Sequence, residues 1–273
     1  MVLNYKYFTL YANGELLNEI EELCLSKGFL NYFSEKRDTD LWQVKVYIES
    51  SEEFPEFLKA YPFEYGGEEL EKDWWKKWKE SLKPFMLTPH TKVIPLEDPA
   101  PVKKAEIIGV VPGEAFGTGQ HETTRLAASL LEKHLKLGDR VLDVGAGTGI
   151  LCALALKRGA AKAVALDIDP LAIKKCHETA SINGVIIDAR VSDLLGAVEH
   201  EEYFDIIVSN MIVELLERFV KETVFHLKDG GLLILSGILS QKYDSFIRNL
   251  ENDFEILETE EMNEWKAVVL RKR

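Results

Sequence analysis

The chain has 273 residues, with 33 Lys and Arg against 46 Asp and Glu for a net charge of -13 and a pI near 5.1. That balance excludes a general binder of phosphate backbones, so no direct nucleic-acid partner is expected, while a basic protein partner would be attracted. Hydrophobic and charged fractions of 46% and 29% exclude a mainly disordered chain. No apolar run approaches the ~18 residues needed to cross a bilayer, and the polar start lacks the order of a secretory signal, so a soluble, cytoplasmic protein without a membrane partner is expected. Cys24, Cys152 and Cys176 are odd in number, widely spaced and without a Cys-x-x-Cys pair. Neither a disulfide framework nor a zinc site is supported, and three reduced thiols are expected.

A strand is predicted over 5–11. Leu16, Leu17, Ile20, Leu23 and Cys24 then recur at helical spacing as far as Gly28. A short strand follows over 29–34, and a second over 41–49, where Trp42, Val44, Val46 and Ile48 alternate with Gln43, Lys45 and Tyr47. A helix over 54–60 and a strand over 63–65 complete a βαββαβ order, that of a small ferredoxin-like α+β domain at 1–65. Gly66-Gly67 marks a composition shift. Residues 68–82 read as an interdomain helix with Trp74, Trp75 and Trp78 on one face, a stripe that packing explains well. Five prolines between 84 and 101 exclude one long helix there, so 66–100 reads as a linker helix plus an extended segment.

From Arg140 onward strands and helices alternate. Strands are predicted at 141–144, 163–168, 187–191, 204–209, 232–236, 254–259 and 266–271, with helices at 150–158, 170–182, 213–227 and 243–251. Seven strands in this rhythm describe a doubly wound, Rossmann-like α/β domain over 101–273, mostly parallel, with the last two strands as an antiparallel edge pair.

The sharpest local signal is Asp143-Val-Gly145-Ala-Gly147-Thr-Gly149, where a buried strand turns into a helix. Glycines there let a ligand approach the backbone. Asp167, followed by Ile168, ends the next strand, where a carboxylate can accept both hydroxyls of a ribose. The spacing is G-x-G-x-G rather than the G-x-G-x-x-G of dinucleotide folds, which suits a smaller ligand without a pyrophosphate, such as S-adenosylmethionine. Asp169-Pro170 is explained as an N-cap and first helical residue. Upstream, Phe116-Gly117-Thr118-Gly119-Gln-His121-Glu122-Thr123-Thr124 could close over a ligand, although a plain turn and helix start explains the same residues. His121-Glu122 superficially resembles a zinc motif, but no second His follows at the required spacing, so no metal is expected.

Together AFGTGQHETT, DVGAGTGIL, DIDP, SN at Ser209-Asn210, SGIL at Ser236–Leu239, EW at Glu264-Trp265 and the upstream DWWKKWK resemble the ribosomal large-subunit protein eleven methyltransferase family (PrmA) along essentially the whole chain. The resemblance implies a class I S-adenosylmethionine-dependent methyltransferase behind an N-terminal substrate-recognition domain. The implied partner is a ribosomal large-subunit protein, methylated on its α-amine and on lysine ε-amines. It also implies cofactor contacts at Thr124, Asp143, Gly145, Gly147, Gly149, Asp167, Ile168 and Asn210, a lid at Phe116, Gly117 and Thr118, and catalytic positions at Asn210 and Trp265. One departure is Met211-Ile212-Val213 after Asn210, where the family commonly has Ile or Leu and then a small residue. A turn or cap also accounts for Asn210, and a core position for Trp265. A monomer is expected. Transfer to another protein's lysine or to a small-molecule amine, and a non-catalytic cofactor-binding module, are the alternatives.

Overall fold

The structure, a computed structural model, describes residues 4–27, 29, 32–49, 51–70, 83–96, 99–111, 119–250 and 252–273. It separates into two compact units, Met1–Ser81 and Leu82–Arg273.

In the first unit, strand β1 (Asn4–Ala12), helix α1 (Gly14–Ser26), strands β2 (Tyr32–Asp38) and β3 (Leu41–Glu49), a 3-10 turn (Glu56–Leu58) and strand β4 (Phe63–Leu70) follow in order. The sheet runs β2-β3-β1-β4 and is antiparallel throughout, as the ferredoxin-like reading expects. The Asn13 side chain accepts the Leu16 N–H at 2.8 Å, satisfying a free donor at the start of α1. Alternate residues of β1 and β3 (Leu10, Ala12, Val44, Val46, Ile48) then meet Leu17, Ile20 and Cys24 of α1 in one core.

Two expectations need correction here. The helix over 54–60 is only the 3-10 turn Glu56–Leu58, because Pro55 before it is extended (φ -55°, ψ 127°) and Pro62 disfavours helical backbone at Tyr61. The interval between the two prolines is too short for a helix. Strand β4 continues to Leu70 instead of stopping at 65, so 68–70 is strand where a helix was read. Gly66 does not break the strand: a Cβ there would lie 2.0 Å from the Tyr7 ring, and the register with β1 shifts between Tyr7 and Phe8. The rest of the supposed helix, 71–82 with its three tryptophans, lies outside the described residues.

The second unit opens with a small sheet of strands β5 (Phe85–Met86), β6 (Lys92–Pro95) and β7 (Ile107–Val110), which the proline-rich sequence gave no reason to expect. Asn183 fixes β7 from below, accepting the Gly109 N–H at 2.9 Å and donating to its carbonyl at 2.8 Å. Helix α2 (Glu122–His134) leads to strand β8 (Arg140–Val144), helix α3 (Ile150–Lys157), strand β9 (Lys162–Asp167), helix α4 (Pro170–Asn183) and strands β10 (Ile187–Val191) and β11 (Phe204–Asn210). Helix α5 (Val213–Phe219) with a 3-10 extension (Val220–Phe225), strand β12 (Leu227–Leu239), helix α6 (Ser240–Arg248) and strands β13 (Phe254–Met262) and β14 (Trp265–Lys272) follow.

The large sheet has the order β10-β9-β8-β11-β12-β14-β13. Its first five strands are parallel, and β14 is antiparallel to both β12 and β13. Helices α2, α3 and α4 cover one face, and α5 and α6 the other. Burial on both faces is why β11 reads as the continuous apolar run Ile206-Ile207-Val208, each at most 1% exposed. The antiparallel pair at the edge is as expected, except that β14 is internal and β13 takes the edge. No helix among the described residues is long and apolar enough to cross a membrane.

Candidate active site

The strand order reverses between β8 and β11, which opens a crevice at the carboxyl ends of the parallel strands. Asp143 is next to last in β8 and the glycine turn follows the strand, Asp167 ends β9, Asn210 ends β11, and Ser236 and Gly237 lie near the end of β12. Because β14 runs the other way, its first residue Trp265 pairs with Leu239 and reaches the same end. Residues separated by 122 positions of sequence thus share one rim.

The turn depends on its glycines. Gly145, Gly147 and Gly149 have φ of +76°, +53° and +74°, values that side-chain-bearing residues adopt only with strain. Gly145 and Ala146 donate to the Leu166 carbonyl at 2.8 and 3.0 Å, tying the turn to β9. The Asp167 carboxylate accepts the Gly147 N–H at 2.8 Å through one oxygen and the Asp169 N–H at 3.0 Å through the other. Each oxygen keeps acceptor capacity for a further donor. Ile168 beside it is 68% exposed, an apolar side chain at the mouth of the crevice. Asp169 caps α4 as read from sequence, accepting the Leu171 N–H at 2.8 Å.

On the other side, Asn210 Nδ2 donates to Thr124 Oγ1 at 3.1 Å, and Thr124 is buried in the first turn of α2. Ser209 Oγ donates to the Val144 carbonyl and Ser236 Oγ to the Thr123 carbonyl, both at 2.8 Å. These bonds hold the start of α2 and the ends of β8, β11 and β12 in one frame. His121 caps α2, its Nδ1 accepting the Thr123 N–H, and its ring meets Trp265 edge-on at 5.4 Å. Burial lowers the His121 pKa, against the pull of Glu122 and Glu264, so the imidazole is neutral near pH 7 and able to accept that bond. No group of His, Cys, Asp or Glu among the described residues is arranged to hold a metal ion.

The structure therefore brings Thr124, Asp143, Gly145, Gly147, Gly149, Asp167, Ile168, Asn210 and Trp265 to one end of one sheet. Phe116, Gly117 and Thr118, read as a lid, lie outside the described residues. The sequence assigns no role to His121, Ser209, Ser236 or Gly237, although each falls in a quoted motif, nor to Met211, which stands there only as a departure. The unusual Met211 packs against the turn: a Cβ on Gly145 would meet its sulfur at 2.6 Å. Gly237 has φ +83°, and a Cβ there would lie 2.4 Å from the Met211 carbonyl oxygen and 3.2 Å from Asn210 Oδ1. Gly237→Ala is accordingly expected to lower stability by at least ~2 kcal/mol, read as a lower midpoint in urea unfolding. A wild-type midpoint would show that the backbone there relaxes freely.

The set fits S-adenosylmethionine. Asp167 offers fixed acceptors for a ribose, the turn offers close backbone approach, and Asp143 Oδ1 is buried without a hydrogen-bond partner among the described residues, as a site for a cationic ligand allows.

The family model described as "Ribosomal protein L11 methyltransferase (PrmA)" matches residues 18–273. The ribosomal protein L11 methyltransferase of Thermotoga petrophila is 36% identical over 255 residues, 93% of this chain and 94% of that protein. The enzyme of the same name from Acetivibrio thermocellus is 37% identical over 265 residues, covering 96% and 83%. Among solved structures, a ribosomal protein L11 methylase from Lactobacillus delbrueckii subsp. bulgaricus aligns with a TM-score of 0.64 at 34% identity, covering 70% of this chain and 100% of that one. With the glycine turn, the reversed strand order and a family match over nearly its whole length, this chain belongs to the ribosomal protein L11 methyltransferase (PrmA) family of S-adenosylmethionine-dependent methyltransferases.

Proposed function

We propose that the chain methylates the α-amine and lysine ε-amines of ribosomal protein L11, with the crevice at the carboxyl ends of β8, β9 and β11 as the reaction site. The observation that carries this reading is a pair of fixed polar groups at the same end of the sheet: Asp167, held by two backbone N–H groups, and Asn210, held by Thr124. The cofactor supplies an electrophilic methyl on a sulfonium. The protein's task is to hold a neutral amine in line with that methyl, and positioning of this kind supplies much of the rate. Depriving a lysine amine of its proton near pH 7.5 costs on the order of 4 kcal/mol, and an α-amine much less. With Nδ2 engaged by Thr124, Asn210 Oδ1 is left to accept an amine hydrogen and aim the lone pair. The Trp265 face can stabilise the methylammonium that forms.

Asp167 is assigned to the ribose hydroxyls and Ile168 to the base. Asp167→Ala is expected to weaken S-adenosylmethionine binding roughly 10- to 150-fold, the ~1.5 to 3 kcal/mol of a charge-assisted hydrogen bond. Calorimetry giving wild-type affinity in a folded variant would reject the ribose role. The substrate is tested by incubating the enzyme with labelled cofactor and an extract of unmethylated ribosomal proteins. L11 is expected to carry the label; label confined to another protein or to small amines would replace the substrate reading and leave the methyltransferase assignment in place.

A further inference from the structure

Beneath the glycine turn is a carboxyl group that the described residues leave unsatisfied. Asp143, in β8, is 1% exposed; its Oδ1 has no hydrogen-bond partner, and its Oδ2 has only the Cys152 thiol, 3.8 Å away. The titratable groups facing it are Asp167 from β9, Cys152 from α3 and Cys176 from α4. Its partner on β11 is Val208, which carries no charge. No cation is among these groups. Burial pushes both thiols up, Cys176 to about 12, so near pH 7 they are neutral and Asp167 adds only a like charge.

Isolated carboxylates are rarely left buried, because desolvation is not repaid without a partner. Desolvation first, and the Asp167 charge second, push the Asp143 carboxyl up to about 8. A group so raised binds its proton in the folded chain and loses it in the unfolded one, so the fold grows less stable as pH rises from 3.8 toward 8. An asparagine of the same shape would avoid that cost. Such an exception to ordinary core chemistry, directly under a ligand-binding turn, points to a role in binding.

We propose that Asp143 is protonated in the cofactor-free enzyme and releases that proton when a cationic ligand is held at the glycine turn, so that capture of S-adenosylmethionine is coupled to the loss of one proton to solvent. The inference rests on the cofactor reading above. The O–H bond of the carboxylic acid breaks, buffer takes the proton, and the carboxylate left behind gains a positive partner that the side chains facing it do not supply.

Calorimetric titration of S-adenosylmethionine into the wild-type enzyme at pH 7, in buffers of different ionisation enthalpy, counts the protons released. Close to one per cofactor is expected, fading as pH passes 8, where Asp143 is already ionised. Asp143→Asn is expected to bind with no comparable release. Wild-type binding without proton release, release that is independent of pH, or equal release from a folded Asp143→Asn would each overturn the proposal and leave the cofactor reading standing. Absence of any cofactor binding would overturn both. Should the variant fail to fold, the wild-type pH series decides alone.

Discussion

Asn210→Ala is expected to lower turnover about 100-fold at saturating cofactor and substrate, the loss typical of a misplaced reacting group. The residue is fixed from three directions. Its Nδ2 donates to Thr124, the preceding Ser209 is tied to β8, and the following Met211 N–H donates to the Ser236 carbonyl at 3.2 Å. Its Oδ1 faces Gly237, where no side chain intrudes. A carbonyl oxygen held this firmly can orient an amine without first losing rotamer freedom, and alanine removes it while leaving the strand intact. Steady-state kinetics with L11 and labelled cofactor provide the measurement. Wild-type turnover in the variant would assign Asn210 to the frame rather than to the chemistry.

Removing Met1–Ser81 is expected to reduce kcat/KM for intact L11 by at least ~100-fold while cofactor affinity changes only a few-fold. Each unit has its own core, Leu10 to Leu58 in the first and two larger clusters in the second. Residues 1–65 hold twelve acidic and six basic side chains, a net of -6, and carry none of the cofactor motifs. We assign them to recruitment of a lysine-bearing substrate, with an association rate that falls as salt rises. A folded, truncated enzyme that methylates intact L11 with unchanged kcat/KM would place recognition in the second unit.

Where one local rule governs, the sequence was legible. The turn after β8 could be read because only glycine takes positive φ cheaply three times in five residues, and the start of α4 because Asp169 and Pro170 both suit a helix entry. The site's outer ring, Gly145 through Asp167, followed from strand ends in a doubly wound sheet. Its other half did not. The bond between Asn210 and Thr124 joins residues 86 apart, and no spacing rule pairs them; Asp143 reads in sequence like a ligand contact, yet the fold buries it. The short first-unit helix failed because two prolines outweighed apolar spacing. Strand β12 was read too short because Gly230, Gly231 and Gly237 look like breaks, whereas Gly237 lies at an irregularity between Leu235 and Ile238 that the sheet accommodates.

The antiparallel β14 has a consequence for the order of events during synthesis. It is the last of the seven strands to be made, yet it occupies an interior place between β12 and β13. A nascent chain that has already released β8 to β12 therefore has the turn, Asp167 and Asn210 in hand but still presents the open hydrogen-bonding edge of β12. Seating Trp265–Lys272 closes that edge and delivers the indole to the rim in the same stroke. Edge-to-edge association between finished copies is disfavoured as well, because the strand left outermost, β13, carries Glu255, Glu258, Glu260 and Glu261.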